Sequence, residues 1–225
     1  MKRLVYIIFV LTCCLISAQA QTSGSCGDNL YWTLQDSTLI ITGSGAMYDY
    51  YSSENIPWND LRSSIKNVSL PNGMTSIAFS SFYECINLRS ITIPNSVTNI
   101  YTNNPFNFCP SLISIEVMSG NTTYDSREGC NAIIETATNT LITGCQTTVI
   151  PSTITTIGDY AFSNRTSNNP IVIPNGVTTI NEGAFWCCRF ESITIPESVT
   201  SIGDYAFYLC SSLTSVTIEA TTPPT

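Results

Sequence analysis

The sequence predicts a β-rich repeat solenoid, and three observations carry that prediction. A segment of 22 to 24 residues recurs five times. Each copy closes on L-x-x-I-x-I, whose last two apolar positions lie two apart, as in a strand with one buried face. A proline stands second in every copy and, having no N–H to donate, closes the strand just before it. A unit this short cannot bury its own apolar face, so it must stack on copies of itself.

Taken in order, residues 1–20 read as an export leader. Lys2 and Arg3 precede an apolar run from Leu4 to Ile16, and Ala18-Gln19-Ala20 stands before the cleavage point. That run is too short to anchor in a bilayer, and no later run approaches spanning length. The expected location is therefore secreted or cell surface, with cleavage near Ala20 and no transmembrane segment. Residues 21–64 read as an N-terminal β-hairpin cap: Leu30, Trp32 and Leu34 alternate, "QDS" turns, and Leu39 and Ile41 alternate again. Trp58 would help cover the open end of the first repeat.

The solenoid is expected over 65–225, with five units at 70–117 and 150–218. The last reads "IPESVTSIGDYAFYLCSSLTSVTI" from Ile195, and the one before it "IPNGVTTINEGAFWCCRFESITI" from Ile173. After each strand, V-T-x-I sends two more apolar groups inward, and Gly158 or Gly203 permits a turn. The Ala-Phe pair should cap a short helical turn and add its ring to a spine of Phe82, Phe106, Phe162, Phe185 and Phe207. Between Val117 and Ile150 the period stretches to 33 residues, and "CNAIIETATNTLITGC" reads as two strands around "TATN". Pairing Glu135 with Thr140 would set Cys130 opposite Cys145, which makes these two the disulfide candidates. The sequence closes at "EATTPPT" without a polar capping unit, so further repeats or a capping segment beyond Thr225 are expected.

These units resemble the leucine-rich repeat in its BspA-like form, I-P-x-x-V-T-x-I-G-x-x-A-F-x-x-C-x-x-L-x-x-I, and the resemblance covers residues 65 to 218. It implies an N-terminal cap, an enlarged repeat at 117–150 rather than a separate domain, and a bacterial surface or secreted protein. Some members of that family are adhesins for host matrix proteins or for other microbes.

Eight cysteines lie beyond the leader. Cys85, Cys109 and Cys210 each stand three residues after a spine Phe. In leucine-rich repeats that slot takes Asn or Cys, so a ladder of buried thiols is expected rather than four disulfides. In "GAFWCCRFESIT" the count forward from Phe185 gives Cys188, whereas the count back from Ile193 gives Cys187. This unit is one residue short within that segment, and we assign the ladder slot to Cys188. A vicinal disulfide is the alternative.

The sequence contains no histidine, which excludes Ser-His and Cys-His nucleophile schemes and any histidine-ligated zinc. No C-x-x-C pair, phosphate-binding glycine loop or calcium loop is present. Asp159 and Asp204 recur beside glycine at equivalent positions and read as turn residues. Neither a catalytic residue, a metal nor a cofactor is expected. Sixteen acidic residues against eight basic ones, two of them in the leader, disfavour nucleic acid as a partner.

The surface with a functional logic is the concave strand face. Its outward positions are Asn67 and Ser69, Ser90 and Thr92, Ser114 and Glu116, Pro170 and Val172, Ser192 and Thr194, and Ser215 and Thr217. Extended faces of this kind are what solenoids use for binding. The expected function is a macromolecular binding and adhesion scaffold for host extracellular-matrix or other surface proteins. An architectural spacer within a larger surface protein, and a carbohydrate-active enzyme, are the alternatives.

Overall fold

The computed structural model describes residues 22–50, 52–101, 104–166 and 170–225; the leader expected over 1–20 lies outside them. The chain opens with an antiparallel meander of β1 (Ser23–Gly27), β2 (Leu30–Gln35) and β3 (Thr38–Gly45). The β2–β3 turn is Asp36 and Ser37, with φ of 47° and 67°. Two left-handed residues give the turn a twist that matches its flanking strands. Leu30, Trp32, Leu39 and Ile41 are buried, as their alternation predicts. Strand β1, sequence SGSCG, lacks the alternation that would announce it.

Strand β3 then exchanges antiparallel for parallel partners. Thr38–Ile40 pair with β4 (Asn67–Ser69), and Ser44–Gly45 pair with β5 (Gly73–Met74). Two columns of parallel strands grow from there. β6 (Ser76–Ile77) starts the V-T-x-I column, β7 (Ser90–Ile93) extends the L-x-x-I-x-I column, β8 (Asn99–Ile100) pairs with β6, and β9 (Ser114–Val117) pairs with β7.

The enlarged unit interrupts both columns with a second antiparallel meander: β10 (Tyr124–Asp125), β11 (Ala132–Glu135) and β12 (Thr140–Gly144). Its third strand also turns to a parallel partner, β13 (Thr156–Ile157). β14 (Thr179–Ile180) follows in the same column; β15 (Ser192–Ile195) returns to the L-x-x-I-x-I column; β16 (Ser201–Ile202) pairs with β14 and β17 (Ser215–Ile218) with β15. The insertion thus repeats the design of the cap, down to "TLIITG" at 38–43 and "TLITG" at 140–144. The core divides at this point into one cluster running from Cys26 to Cys145 and another from Cys130 to Ala206. Asn121 ties the insertion back to the repeats: its amide nitrogen donates to the carbonyls of Pro94 and Val97, and its oxygen accepts from the amides of Thr123 and Tyr124.

The disulfide expected between Cys130 and Cys145 does not form; both are free, buried thiols. Glu135 does pair with Thr140, but the register shifts between Ile133 and Ile134, so Ile133 faces Thr143 and Ala132 faces Gly144. The bulge carries Cys145 past Cys130, and its sulfur lies 3.4 Å from the Asn131 carbonyl. The two thiols also belong to different core clusters.

The corner expected to hold a helical turn is built otherwise. Residues two before and two after each spine Phe have positive φ: Ser80 and Glu84, Asn104 and Phe108, Tyr160 and Asn164, Gly183 and Cys187, Tyr205 and Leu209. This left-handed alternation aims amides at the following unit. Tyr160, Phe162 and Asn164 donate to the carbonyls of Glu182, Ala184 and Trp186, at 2.9, 2.8 and 2.7 Å. Gly183, Phe185 and Cys187 donate in the same way to Asp204, Ala206 and Tyr208.

The rings stack in two runs rather than one. Phe82 lies on Phe106 at 5.2 Å and 2°, and Phe162, Phe185 and Phe207 follow at 5.4 and 5.3 Å with interplanar angles of 5° and 7°. Trp58 extends the first run, stacking on Phe82 at 6.1 Å while its indole N–H donates to the Ser81 carbonyl. Between the runs lies the backbone of β12, close enough that a Cβ on Gly144 would stand 2.2 Å from the Phe162 ring.

Candidate functional site

In the L-x-x-I-x-I segments, which form strands except at residues 170–173, one side faces the core and the other solvent. Ile91, Ile93, Ile115, Val117, Ile171, Ile173, Ile193 and Ile195 are buried. Asn67, Ser69, Thr92, Ser114, Glu116, Ser192, Thr194, Ser215 and Thr217 are exposed, as are Pro170 and Val172, and Ser90 is partly so. Strand β17 departs from the alternation: Val216 and Ile218 are about half exposed, and β15 is its one strand partner among the described residues. Counting back from Ile150 adds one residue that sequence reasoning missed, Val149, which is 73 % exposed beside Val172 at 77 % in the equivalent row. The hydroxyl-bearing column therefore carries an apolar spot at its middle.

Two clefts interrupt this face. The first, about 490 Å³, opens where β9 has no strand partner on its far side, between Ser114 and Glu116 on one wall and Ser126, Arg127 and Asn131 on the other. Ser126 bridges part of the gap, its hydroxyl accepting from the Val117 amide at 3.0 Å. The Arg127 guanidinium is held by Asp125 through Nε at 2.9 Å and Nη2 at 2.7 Å, with Asn139 on Nη1. The hydrogen bonds to Asp125 push the Arg127 pKa further up, and the guanidinium joins the cleft lining as one half of an ion pair. The second, about 310 Å³, lies between residues 170–173 and β15, with Val172, Ser192, Thr194 and Glu219 at its edges.

The sulfurs occupy the opposite corner. Cys109 donates to the Phe82 carbonyl at 3.1 Å, Cys188 to Phe162 at 3.1 Å and Cys210 to Phe185 at 3.0 Å. Each thiol thus ties its unit to the spine carbonyl of the unit before. Cys85 lies in the same slot, fully buried. Cys188 takes the slot in the short unit, fully buried on the Phe162 carbonyl, and Phe190 fills the leucine position two residues on, edge-on to Phe185 at 5.8 Å, so the missing residue lies between them. Cys187 is left at the left-handed corner with φ 58° and partial exposure. In the unit at 150–173 the slot holds Arg165, buried, with Nη2 3.1 Å from the Gln146 carbonyl across the junction of the two cores. Burial lowers its pKa. All eight described cysteines are free, and none of the raised thiol pKa values favours a nucleophilic thiolate. Among the described residues no group of three or more His, Cys, Asp or Glu side chains could hold a metal ion. No described helix is long and apolar enough to cross a membrane.

Stacked parallel strands, a thiol and aromatic spine, and a solvent-facing strand surface on either side of the insertion define a leucine-rich repeat fold. The family described as BspA type leucine-rich repeat region, in six copies, matches residues 61–143 and 131–223. The chain belongs to that family. A leucine-rich repeat protein from Eubacterium ventriosum is similar in structure, with a TM-score of 0.52 at 25 % identity, over 88 % of this chain and 72 % of that one. A leucine-rich cell surface protein from Faecalibacterium prausnitzii aligns over 79 % of this chain and 60 % of its own at 23 % identity and a TM-score of 0.42. The pneumococcal vaccine antigen PcpA aligns over 85 % and 80 % at 15 % identity and a TM-score of 0.49. No curated protein matches the sequence significantly.

Proposed function

We propose that the protein is a non-enzymatic scaffold, exported to the cell surface or beyond it, whose L-x-x-I-x-I strand face adheres to host-matrix or other surface proteins. The observation that carries this reading is the face itself: outward-pointing Ser, Thr and Asn side chains in register over successive strands, flanked by two clefts and centred on Val149 and Val172. Short hydroxyl side chains lose little entropy when they are covered, and an extended face can engage a partner at several points at once. The column has no aromatic or arginine anchor, so each contact is weak and the whole is multivalent. Export is supported by the leader-like first 20 residues, and surface association by family membership.

The test is binding of the chain to immobilised fibronectin, fibrinogen and a glycan array, alongside a Val172→Glu, Thr194→Arg double variant. Saturable binding to a protein ligand, weakened at least tenfold by the double variant, supports the reading. Binding unaffected by that variant moves the site elsewhere. Turnover of a polysaccharide by the wild-type chain overturns the scaffold reading.

A further inference from the structure

On the turn face, opposite the strand surface, a cleft of about 370 Å³ lies between two pairs of aromatic rings. One wall is Tyr83 and Phe108, centroids 5.4 Å apart and tilted by 60°, with Phe79 beside them. The other wall is Tyr160 and Trp186, 5.9 Å apart and tilted by 48°. We propose that this cleft binds a quaternary ammonium group. The site is separate from the strand face and does not depend on the function proposed for it.

Three features lead there. The walls are fixed in the unliganded protein: the Asn104 amide donates to the Tyr160 carbonyl at 3.0 Å, and the Ser163 hydroxyl reaches Asn107 on the cleft lining at 2.5 Å. Trp186 is braced from behind by Tyr208 at 4.7 Å and Tyr205 at 5.9 Å. A pre-formed cleft at the meeting of two cores is where small ligands bind most readily.

The potential is negative. No basic side chain lines the cleft. Glu182 accepts from the Tyr160 hydroxyl at 2.7 Å, and Asp159 precedes that tyrosine. On the other wall Glu84, beside Tyr83, is ion-paired with Arg62 at 2.9 Å, so that pair adds little net charge and the two carboxylates at Tyr160 set the sign. Negative ring faces backed by carboxylates attract an organic cation and repel an anion.

Few hydrogen-bonding groups are free to face a ligand. The Tyr160 hydroxyl is committed to Glu182, and the Asn107 carbonyl oxygen to Ser163. A primary ammonium would leave donors unmet, and a sugar would lose several hydroxyl bonds to water. A trimethylammonium group has no N–H to satisfy and is held by ring faces alone. The volume exceeds that of the headgroup, leaving room for the substituent that carries it.

Calorimetric titration of the full chain with choline, and with its uncharged isostere 3,3-dimethylbutan-1-ol, tests the proposal. Choline should saturate one site at least tenfold more tightly than the isostere. Trp186→Leu should weaken choline about tenfold or more. Ser211→Ala, at an exposed position outside the cleft, should stay within about twofold, and a retained urea transition checks that Trp186→Leu is folded. Equal affinity for both ligands, no saturation by choline, or full affinity in Trp186→Leu overturns it, as does a saccharide that binds where choline does not. Phosphatidylcholine vesicles distinguish the source. Sedimentation with vesicles, reversed by choline, supports a lipid headgroup, and choline binding without sedimentation supports a free solute.

Discussion

At the scale of single residues, the cysteines show how far a repeating position can be read without coordinates. Three of them stand at a fixed distance from the spine Phe, and the count alone puts them in one slot. The sequence does not say what the slot does. Its role emerges from the left-handed corners, which leave each Phe carbonyl facing the thiol of the following unit. The double cysteine is ambiguous in the sequence for a physical reason: the missing residue can be placed on either side of the slot, and only the burial of Cys188 against the Phe162 carbonyl distinguishes the two. Burial raises the Cys26 and Cys85 thiols to about 12 and Cys130 to about 11, from 9.0. Between pH 9 and those values the unfolded chain loses these protons and the folded chain keeps them, so stability falls as pH rises. The urea midpoint should therefore hold up to about pH 9 and decline steadily towards pH 11, with a shallower decline in Cys85→Ala. At pH 8, a thiol reagent should modify Cys187 and Cys210 first, since the other six are buried.

At the scale of elements, the strands were legible and the corner was not. L-x-x-I-x-I and V-T-x-I announce their burial by period two, and both columns follow that pattern. The Ala-Phe corner has the composition of a helical turn, yet every second amide is used between units, and only the alternate ones close turns within one. Local propensity gave way to stacking. The insertion was legible as a hairpin, but its bulge was not, because one extra residue in a strand leaves no mark in an apolar pattern. That bulge separates the two cysteines and ends in Gly144, whose missing side chain admits the Phe162 ring. Phe162 cannot retreat, since it is stacked on Phe185. Gly144→Ala should destabilise the protein by about 3 kcal/mol, measured as a urea-midpoint shift. A midpoint that does not move would mean that the strand and the ring do not approach as described.

At the scale of the molecule, the recurring period was enough to give the fold class, and the strand face followed from it. What escaped notice was that the chain starts its stack twice. The second meander carries the same "TLI-TG" signature as the first, visible once 38–43 and 140–144 are aligned. The aromatic cleft of the turn face escaped too, because its rings come from four different units and only stacking gathers them. The two cores meet through Asn104, a left-handed residue with φ 43°. Its side-chain oxygen accepts from the Phe106 amide and the Thr143 hydroxyl, each at 3.0 Å, and its nitrogen reaches Tyr160. Asn104→Ala should cost about 3 kcal/mol through buried groups left unpaired. It should also split a single urea transition into two, followed in a Trp186→Phe background by the fluorescence of Trp32 and Trp58, both in one core, and by far-ultraviolet dichroism for the whole. A single unshifted transition would show that the cores are joined elsewhere.

The turn-face ladder has one more consequence. Every amide in it points toward the following unit and every carbonyl that answers points back, so the peptide dipoles add along the stack instead of cancelling, as they do in ordinary sheets. The turn face is vectorial, with a donor pole and an acceptor pole. A unit can be joined to its neighbour in one sense only, because an inverted unit would set donor against donor. Whole repeats can be gained or lost without rewriting the interface between them, whereas a unit turned end for end has no place in the stack.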